Sequence, residues 1–180
     1  MDREVLEQQL AELPLYVYFY IDPKSLEFSQ RIRWICENEC PMYGKSWACP
    51  PGTGEVDACA KKCSGYNNCL VVGTITETED IANMDATLKT RPEHEAVTNQ
   101  VRELLRAQGI EPYILSTEAC AVCERCAILD GEPCRMPERM HPCVESHGIN
   151  LIPTLEENGL EFQYGDNIVT WYSLLFFNEI

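Results

Sequence analysis

The stretch around which this chain is organised is CAVCERC, residues 120–126, followed by Cys134 after seven further residues. Three thiols at C-x2-C-x2-C spacing with a fourth downstream are typical of iron–sulfur ligand runs. A single zinc ion holds its thiolates about 2.3 Å away, which is difficult for three ligands so close in sequence. In a cubane each thiolate binds a different iron, and Gly131 and Pro133 can turn the chain towards the fourth ligand. The spacing therefore predicts a [4Fe-4S] cluster on Cys120, Cys123, Cys126 and Cys134, with zinc or unligated buried thiols as alternatives.

A second set of cysteines lies upstream in CENECPMYGKSWACPP, residues 36–51. Pro50 favours extended backbone at the preceding cysteine, and the two prolines fix the chain that leaves it. These three thiols need a fourth ligand, and Cys59 and Cys63 follow on one face of a predicted helix. A cluster with only three protein ligands would leave one iron open to a substrate. The ligands predicted for this site are Cys36, Cys40, Cys49 and Cys59, with Cys63 or no fourth protein ligand as alternatives.

The remaining cysteines are expected to pack in the core, because free cysteine is among the most buried residue types. They are Cys63, Cys69 and Cys143. Eleven cysteines in a 180-residue chain without a signal-peptide pattern indicate reduced thiols and metal ligands rather than disulfides. The apolar runs are too short to span a bilayer. The expectation is therefore a cytoplasmic protein without a membrane anchor.

The formal net charge of −15 bears on the choice of partner. Binding to nucleic acid needs a cluster of basic residues that contacts the phosphate backbone, so we do not expect this protein to bind nucleic acid. An acidic surface can steer a basic protein partner, as in small electron carriers, or can simply keep the protein soluble. The predicted partner is a redox protein, and the oligomeric state is left open.

Periodicity and turn signals predict a single α/β or α+β domain over residues 1–180, with a mixed sheet and two cysteine-rich metal-binding loops. The predicted strands are 15–21, 27–35, 70–75, 110–116, 149–152 and a central one at 168–177. The predicted helices are 1–12, 55–64, one opened by a capping box at Thr90 and Glu93 and running to 108, 137–147, and a short one capped by Thr154. Strand 70–75, the long helix and strand 110–116 are expected to form a right-handed βαβ crossover.

The histidines and the glycine-containing loops give no recognisable catalytic constellation. His94 is expected at a solvated position in the first turn of a helix. His141 and His147 lie near the second site in sequence and are candidates to hydrogen-bond a cluster sulfur. No phosphate-binding loop follows a strand, so whether the protein is an enzyme is left open.

Two landmarks together resemble a known family. These are C-x3-C-P-x-Y-G-x2-W-x-C-P-P from Cys36 and C-x2-C-x2-C-x7-C-R-x-P-E-R from Cys120. The chain is similar over residues 36–160 to the cysteine-rich predicted metal-binding proteins called domain of unknown function 2284. The resemblance implies a metal, with iron–sulfur favoured, but no established reaction. It implies ligand roles for Cys36, Cys40, Cys49, Cys120, Cys123, Cys126 and Cys134. Some members carry a cysteine at Cys59, whereas many have serine at Cys143.

Three functions follow as hypotheses. The first is an electron-transfer protein with two [4Fe-4S] clusters. The second is an interaction module in which zinc or clusters only hold the loops together. The third is an enzyme with an open iron at the Cys36, Cys40 and Cys49 site.

Overall fold

Helices and strands are interspersed along the chain, in the mixed class that the sequence predicts. A computed structural model describes residues 1–179. The elements are α1 Arg3–Leu10, β1 Val17–Ile21, β2 Glu27–Phe28, α2 Gln30–Asn38, α3 Val56–Cys63, β3 Asn68–Glu77, α4 Met84–Leu88, α5 Arg91–Ala107, β4 Tyr113–Leu115, β5 Ile149–Asn150, α6 Ile152–Glu157 and β6 Ile168–Phe177. Short 3-10 helices occur at Pro23–Ser25, Ala127–Asp130 and Glu145–His147. Within residues 1–179 no helix is long and apolar enough to cross a membrane.

The main sheet has four strands in the order β1-β3-β6-β4, and every neighbouring pair is antiparallel. The central position predicted for the last strand is confirmed, because β6 pairs with β3 along ten residues and with β4 on its other side. β3 and β4 run parallel and are joined through α5, but β6 lies between them. The sheet that was predicted to be mixed is therefore antiparallel throughout. β6 lies between β3 and β4, the two strands of the expected crossover, and pairs antiparallel with both.

The sheet is buried on both faces. Successive strand residues point to opposite sides, so Val71 and Leu174 face one layer while Leu70 and Leu175 face the other. Leucines and a valine of α1 and α5 cover the second of these faces. The first face is covered by α3, α6 and residues 144–151. The long segment between β4 and β5 contains the C-terminal cysteine-rich loop, and its end, from Val144, packs on this first side.

The strand predicted over residues 27–35 is wrong beyond its first two residues. Only Glu27–Phe28 is extended, and α2 begins at Gln30. Ser29 caps this helix, because its hydroxyl accepts a hydrogen bond from the Arg31 amide at 3.2 Å. The alternation of arginine with apolar residues also fits a helix whose buried side includes Arg33. Cys36, which was expected just after a strand, therefore lies in the last turn of a helix.

The helix predicted over residues 137–147 does not form. The chain makes a turn at residues 136–140, and only Glu145–His147 is helical, as one 3-10 turn. Pro142 interrupts the segment, and its carbonyl instead accepts a hydrogen bond from the Ser116 amide at 2.8 Å. Cys143 thereby forms a bridge with Ser116 beside the end of β4.

Two predicted helix caps also differ from the structure. Thr90 has helical backbone angles and makes no side-chain cap, because α4 ends just before it. Its hydroxyl donates to the Thr87 carbonyl and accepts from the Trp171 indole, both at 2.8 Å. Thr154 is buried inside α6, whose N-cap is Leu151, three residues before the predicted cap. The helices exist, but neighbouring elements determine how they begin.

Candidate metal centre

Four cysteines predicted as one ligand set surround a common small cavity in the structure. They are Cys120, Cys123, Cys126 and Cys134, here called the C-terminal group. All four are free thiols of intermediate exposure. The methionines at positions 136 and 140 line the same cavity, so apolar side chains accompany the four cysteines there.

A short 3-10 helix brings the fourth thiol of this group back to the first three. Cys126 precedes the helix Ala127–Asp130, and Gly131 ends it in the left-handed conformation with φ of 70°, as glycine can without strain. The Arg135 guanidinium donates to the Arg125 carbonyl at 3.0 Å and closes the loop. The turn predicted at Gly131 is therefore confirmed.

The charges around the C-terminal group favour a cation at its centre. Burial raises the pKa of the Cys120 thiol, and the neighbouring Cys134 and Cys126 raise it further, while the Val122 backbone and Arg91 lower it. Four thiolates held this close repel one another unless a positive core offsets their charge. A metal supplies that charge, because its binding requires deprotonated thiols. The donor set therefore fits a thiolate-ligated metal.

Cys36, Cys40 and Cys49 form a second cluster of thiols, here called the N-terminal group. Burial raises the pKa of Cys36 to about 11, with Glu145 and Cys40 adding to the shift. The pKa of Cys49 rises to about 12, again mainly through burial and then through Cys40 and Cys36. The three thiols are thus within electrostatic reach of one another. The loop between them is closed by a hydrogen bond from the Gly44 amide to the Pro50 carbonyl at 2.8 Å.

The structure places Cys143 beside the N-terminal group. Its amide donates to the carbonyl of Ala48 at 3.0 Å, next to Cys49 in the chain. Its thiol lies 2.7 Å from the Glu145 carboxylate. Burial raises the pKa of Cys143 well above its ordinary value, and Glu145 and then Cys49 contribute. Cys143 was expected to be a core residue. Its position beside Cys49 depends on the pairing of two loops that are distant in sequence, which no local sequence pattern indicates.

Cys59 faces a different environment from the other predicted ligands. Its thiol donates to the Thr53 carbonyl at 3.3 Å. Burial raises its pKa, and the charged side chains that shift it most are Arg33 and Lys62. Cys63 and Cys69, one helical turn and ten residues further, are fully buried in the core as expected. We refer to Cys59, Cys63 and Cys69 as the core group. Cys59 contributes to the raised pKa of Cys63, and Cys63 contributes to the raised pKa of Cys69.

The two ligand groups are neighbours in space. The Trp47 indole, from the N-terminal loop, donates to the Glu132 carbonyl of the C-terminal loop at 3.0 Å. The Arg91 guanidinium lowers the pKa of both Cys49 and Cys120. The two cysteine-rich loops therefore form one continuous region rather than two separate sites.

The three histidines are all buried, and in the described part of the chain none is hydrogen-bonded to a cysteine thiol. The expectation of a solvated His94 is wrong: its ring bonds to Thr74 and Ser173, each at 2.8 Å. Burial lowers its pKa to about 3. His147 bonds to the Tyr113 hydroxyl at 2.7 Å, and His141 to the Asn99 amide at 3.3 Å. Only His141 shares a cavity with a predicted ligand, Cys120.

Within residues 1–179, no three histidine, cysteine, aspartate or glutamate side chains are arranged to hold a single metal ion. The sulfurs of the C-terminal group face one cavity instead. Thiolates are soft donors that select zinc, copper(I) and iron–sulfur centres over hard cations. Cysteine thiolates at both groups would therefore favour a metal of this class.

Comparison with known proteins gives one match. A family model described as "Predicted metal-binding protein (DUF2284)" matches residues 20–177. This range contains all eleven cysteines. The searches of curated proteins and of solved structures found no match.

Proposed function

Because the chain belongs to the DUF2284 family of predicted metal-binding proteins, we propose that it is an iron–sulfur protein with two [4Fe-4S] clusters and that it transfers single electrons. The observation that carries this proposal is the arrangement of four thiols around one cavity in the C-terminal group. Their spacing is that of iron–sulfur ligand runs. A cubane suits such a loop, because each thiolate binds a separate iron.

The second cluster in this proposal is bound by Cys36, Cys40 and Cys49. We propose Cys143 as its fourth ligand, since its backbone is hydrogen-bonded next to Cys49 and the Cys49 thiol contributes to the raised pKa of the Cys143 thiol. Cys59 remains the ligand predicted from the sequence. It is the less favoured one here, because the charged side chains that shift its pKa most are Arg33 and Lys62, whereas Cys49 contributes to the pKa shift of Cys143.

The depth of the two groups suggests a direction for electron transfer. All four thiols of the C-terminal group are partly exposed. In the N-terminal group Cys36 and Cys40 are partly exposed as well, but Cys49 and Cys143 are only 6% and 8% exposed. A bound [4Fe-4S] cluster supplies reversible one-electron oxidation and reduction. The loops contribute a solvent-facing contact point at one group and a partly shielded environment at the other. Electrons would enter at the C-terminal group and pass to the N-terminal group beside it.

The proposed partner is a protein with a basic docking face. The chain carries a formal charge of −15, and eight thiolates with two cubane cores would add roughly −4 by simple charge counting. Opposite charges raise association rates, and salt screens this effect. Reduction by such a partner should therefore slow as ionic strength rises.

Anaerobic purification followed by iron, sulfide and zinc analysis tests the proposal. We expect about eight irons and about eight acid-labile sulfides per chain, and an electron paramagnetic resonance signal after chemical reduction. Cys134→Ser should remove about half of the iron. Stoichiometric zinc without sulfide would refute the assignment.

A structural role for the metal is the second candidate function. The C-terminal loop contains only one 3-10 helix, and its ion pairs between Arg125, Asp130 and Arg135 are exposed. Exposed pairs of this kind contribute about 0–1 kcal/mol each, so metal ligation would be the main constraint on the loop. A centre that shows no reversible redox change in voltammetry, yet whose removal unfolds the protein, would favour this role. The third hypothesis, an enzyme with an open iron, requires that neither Cys59 nor Cys143 is a ligand.

A further inference from the structure

A cavity of about 240 Å³ lies beside the N-terminal group, at the start of β6. One wall is formed by residues 117–118 after β4 and by residues 144–145. The opposite wall comes from residues 162–163 and from α4. The volume is below the roughly 300–1,000 Å³ of drug-sized sites, so the cavity fits a small metabolite.

Two hydroxyl groups in this cavity have no hydrogen-bond partner within residues 1–179. They belong to Thr117, which is 9% exposed, and to Thr170 on β6. Buried polar atoms are nearly always paired, because losing water without a replacement partner is unfavourable. Since both hydroxyls line the same cavity, a bound molecule can supply the missing partner to each.

Two carboxylates mark one end of the cavity as negatively charged. Glu118 is the only non-glycine residue among those described with positive φ, at 56°. Backbone in this region is unfavourable for residues with a Cβ, and such residues concentrate at functional sites. The Glu145 carboxylate stands on the same wall and also accepts a hydrogen bond from the Cys143 thiol.

The rest of the cavity is apolar and aromatic. Tyr172 is buried on the same side of β6 as Thr170, and its hydroxyl is already bonded to the Glu161 carbonyl. Its ring is therefore available for apolar contact, together with the half-exposed ring of Phe162. Aromatic faces also attract organic cations. Apolar walls with a carboxylate end are suited to a molecule that has an uncharged body and a positive head.

We propose that this cavity binds a small organic amine, with its apolar body against the aromatic rings and its ammonium group between Glu118 and Glu145. The two threonine hydroxyls would bond to the amine or to a polar atom on its body. An anion of the same size would meet two carboxylates and be rejected. This inference depends on the cavity itself and stands whether or not the cysteines bind iron.

Calorimetric titration of the anaerobically purified protein tests this site. The probes are a set of primary monoamines with bodies of roughly five to ten carbons, among them 2-phenylethylamine, with 2-phenylethanol and 3-phenylpropionate as neutral and anionic counterparts. We expect saturable binding of at least one amine, and binding of its alcohol and acid counterparts weaker by about tenfold or more. No binding by any amine, or tighter binding of the acid, would overturn the proposal.

Three variants locate the binding. Glu118→Gln should weaken amine binding by about tenfold or more, whereas Glu156→Gln, which removes an exposed charge elsewhere, should leave it unchanged. Thr170→Val should weaken amine binding and leave the melting temperature equal or higher, because it removes an unpartnered hydroxyl. Thr170 lies on β6, away from the cysteine loops, so its substitution should leave the fold of those loops unchanged. Equal affinity in Glu118→Gln, Thr170→Val and the control would place the amine outside this cavity and refute the site.

Discussion

Replacing Cys143 by serine separates the two candidates for the fourth ligand of the N-terminal cluster. The resemblance to a family in which many members have serine here predicts no effect on iron. The contacts of Cys143 with Ala48 and its electrostatic coupling to Cys49 predict the opposite. We expect Cys143→Ser to lose about four of about eight irons, because a serine hydroxyl is a poor ligand for iron at neutral pH.

The effect of Cys143→Ser on the stability of the protein can be worked out separately from its effect on iron content. A buried hydroxyl without a partner costs about 1–3 kcal/mol, but the Glu145 carboxylate lies 2.7 Å from the Cys143 sulfur and can accept from serine as well. The loss of stability in the metal-free protein should therefore fall below that range. A large loss of iron with a small loss of stability would then indicate ligation rather than misfolding.

Cys59→Ser is the matched control for this experiment. Its thiol is also buried and also donates to an oxygen, the Thr53 carbonyl at 3.3 Å, so serine is equally tolerable there. Iron and sulfide content, denaturant unfolding and the resonance signal of the reduced protein are compared for the two variants. Full iron in Cys143→Ser beside half the iron in Cys59→Ser would refute our reasoning and establish Cys59 as the ligand. Full iron in both would indicate a cluster with an open iron.

Three further predictions follow from the fold and its buried groups. Cys134→Ser should lose the iron of the C-terminal cluster and keep the other, so that about half of the sulfide remains; a variant with full iron would remove that cysteine from the ligand set. His94 has a pKa of about 3 in the folded state and about 6.5 when unfolded, so the stability that its neutral form supports is present above pH 6.5 and decreases as pH falls towards 3. His94→Gln should reduce the pH slope of the unfolding free energy by roughly 1.4 kcal/mol per unit in that window, and an unchanged slope in denaturant titrations would contradict the assignment. Gly148→Ala should destabilise more than Gly159→Ala, because both glycines have positive φ but only at Gly148 would a Cβ lie 2.9 Å from Val56; equal melting temperatures for the two variants would show that this close packing is unimportant.

Local patterns predicted those parts of the fold that local energetics determine. β6 is apolar at successive positions, which identified it as a strand buried on both faces. The turn at Gly131 followed from its conformational freedom. The strand predicted over residues 27–35 was wrong because arginines that alternate with apolar residues are compatible with a short helix as well as with a strand. The single hydroxyl of Ser29 at its start favours the helix.

The features that the sequence could not predict depend on contacts between distant residues. Nothing in β3, α5 or β4 indicates that a strand from the end of the chain will pair between the two strands. The same holds for His94, whose partners Thr74 and Ser173 come from two different strands. A histidine in the first turn of a helix is solvated unless the sheet behind it carries hydroxyls.

The eleven cysteines divide by location into sets with different chemical consequences. Four belong to the C-terminal group, four surround the N-terminal loop when Cys143 is included, and the three of the core group account for the rest. The core group is attached to α3 and β3, which already pack against the sheet without a metal. Of the other eight, Cys36 lies in the last turn of α2 and seven lie outside the helices and strands, and both faces of the sheet are covered by other elements. Those segments contain few buried apolar residues, so we expect the bonds that their thiols make to a metal to supply much of the free energy that orders them.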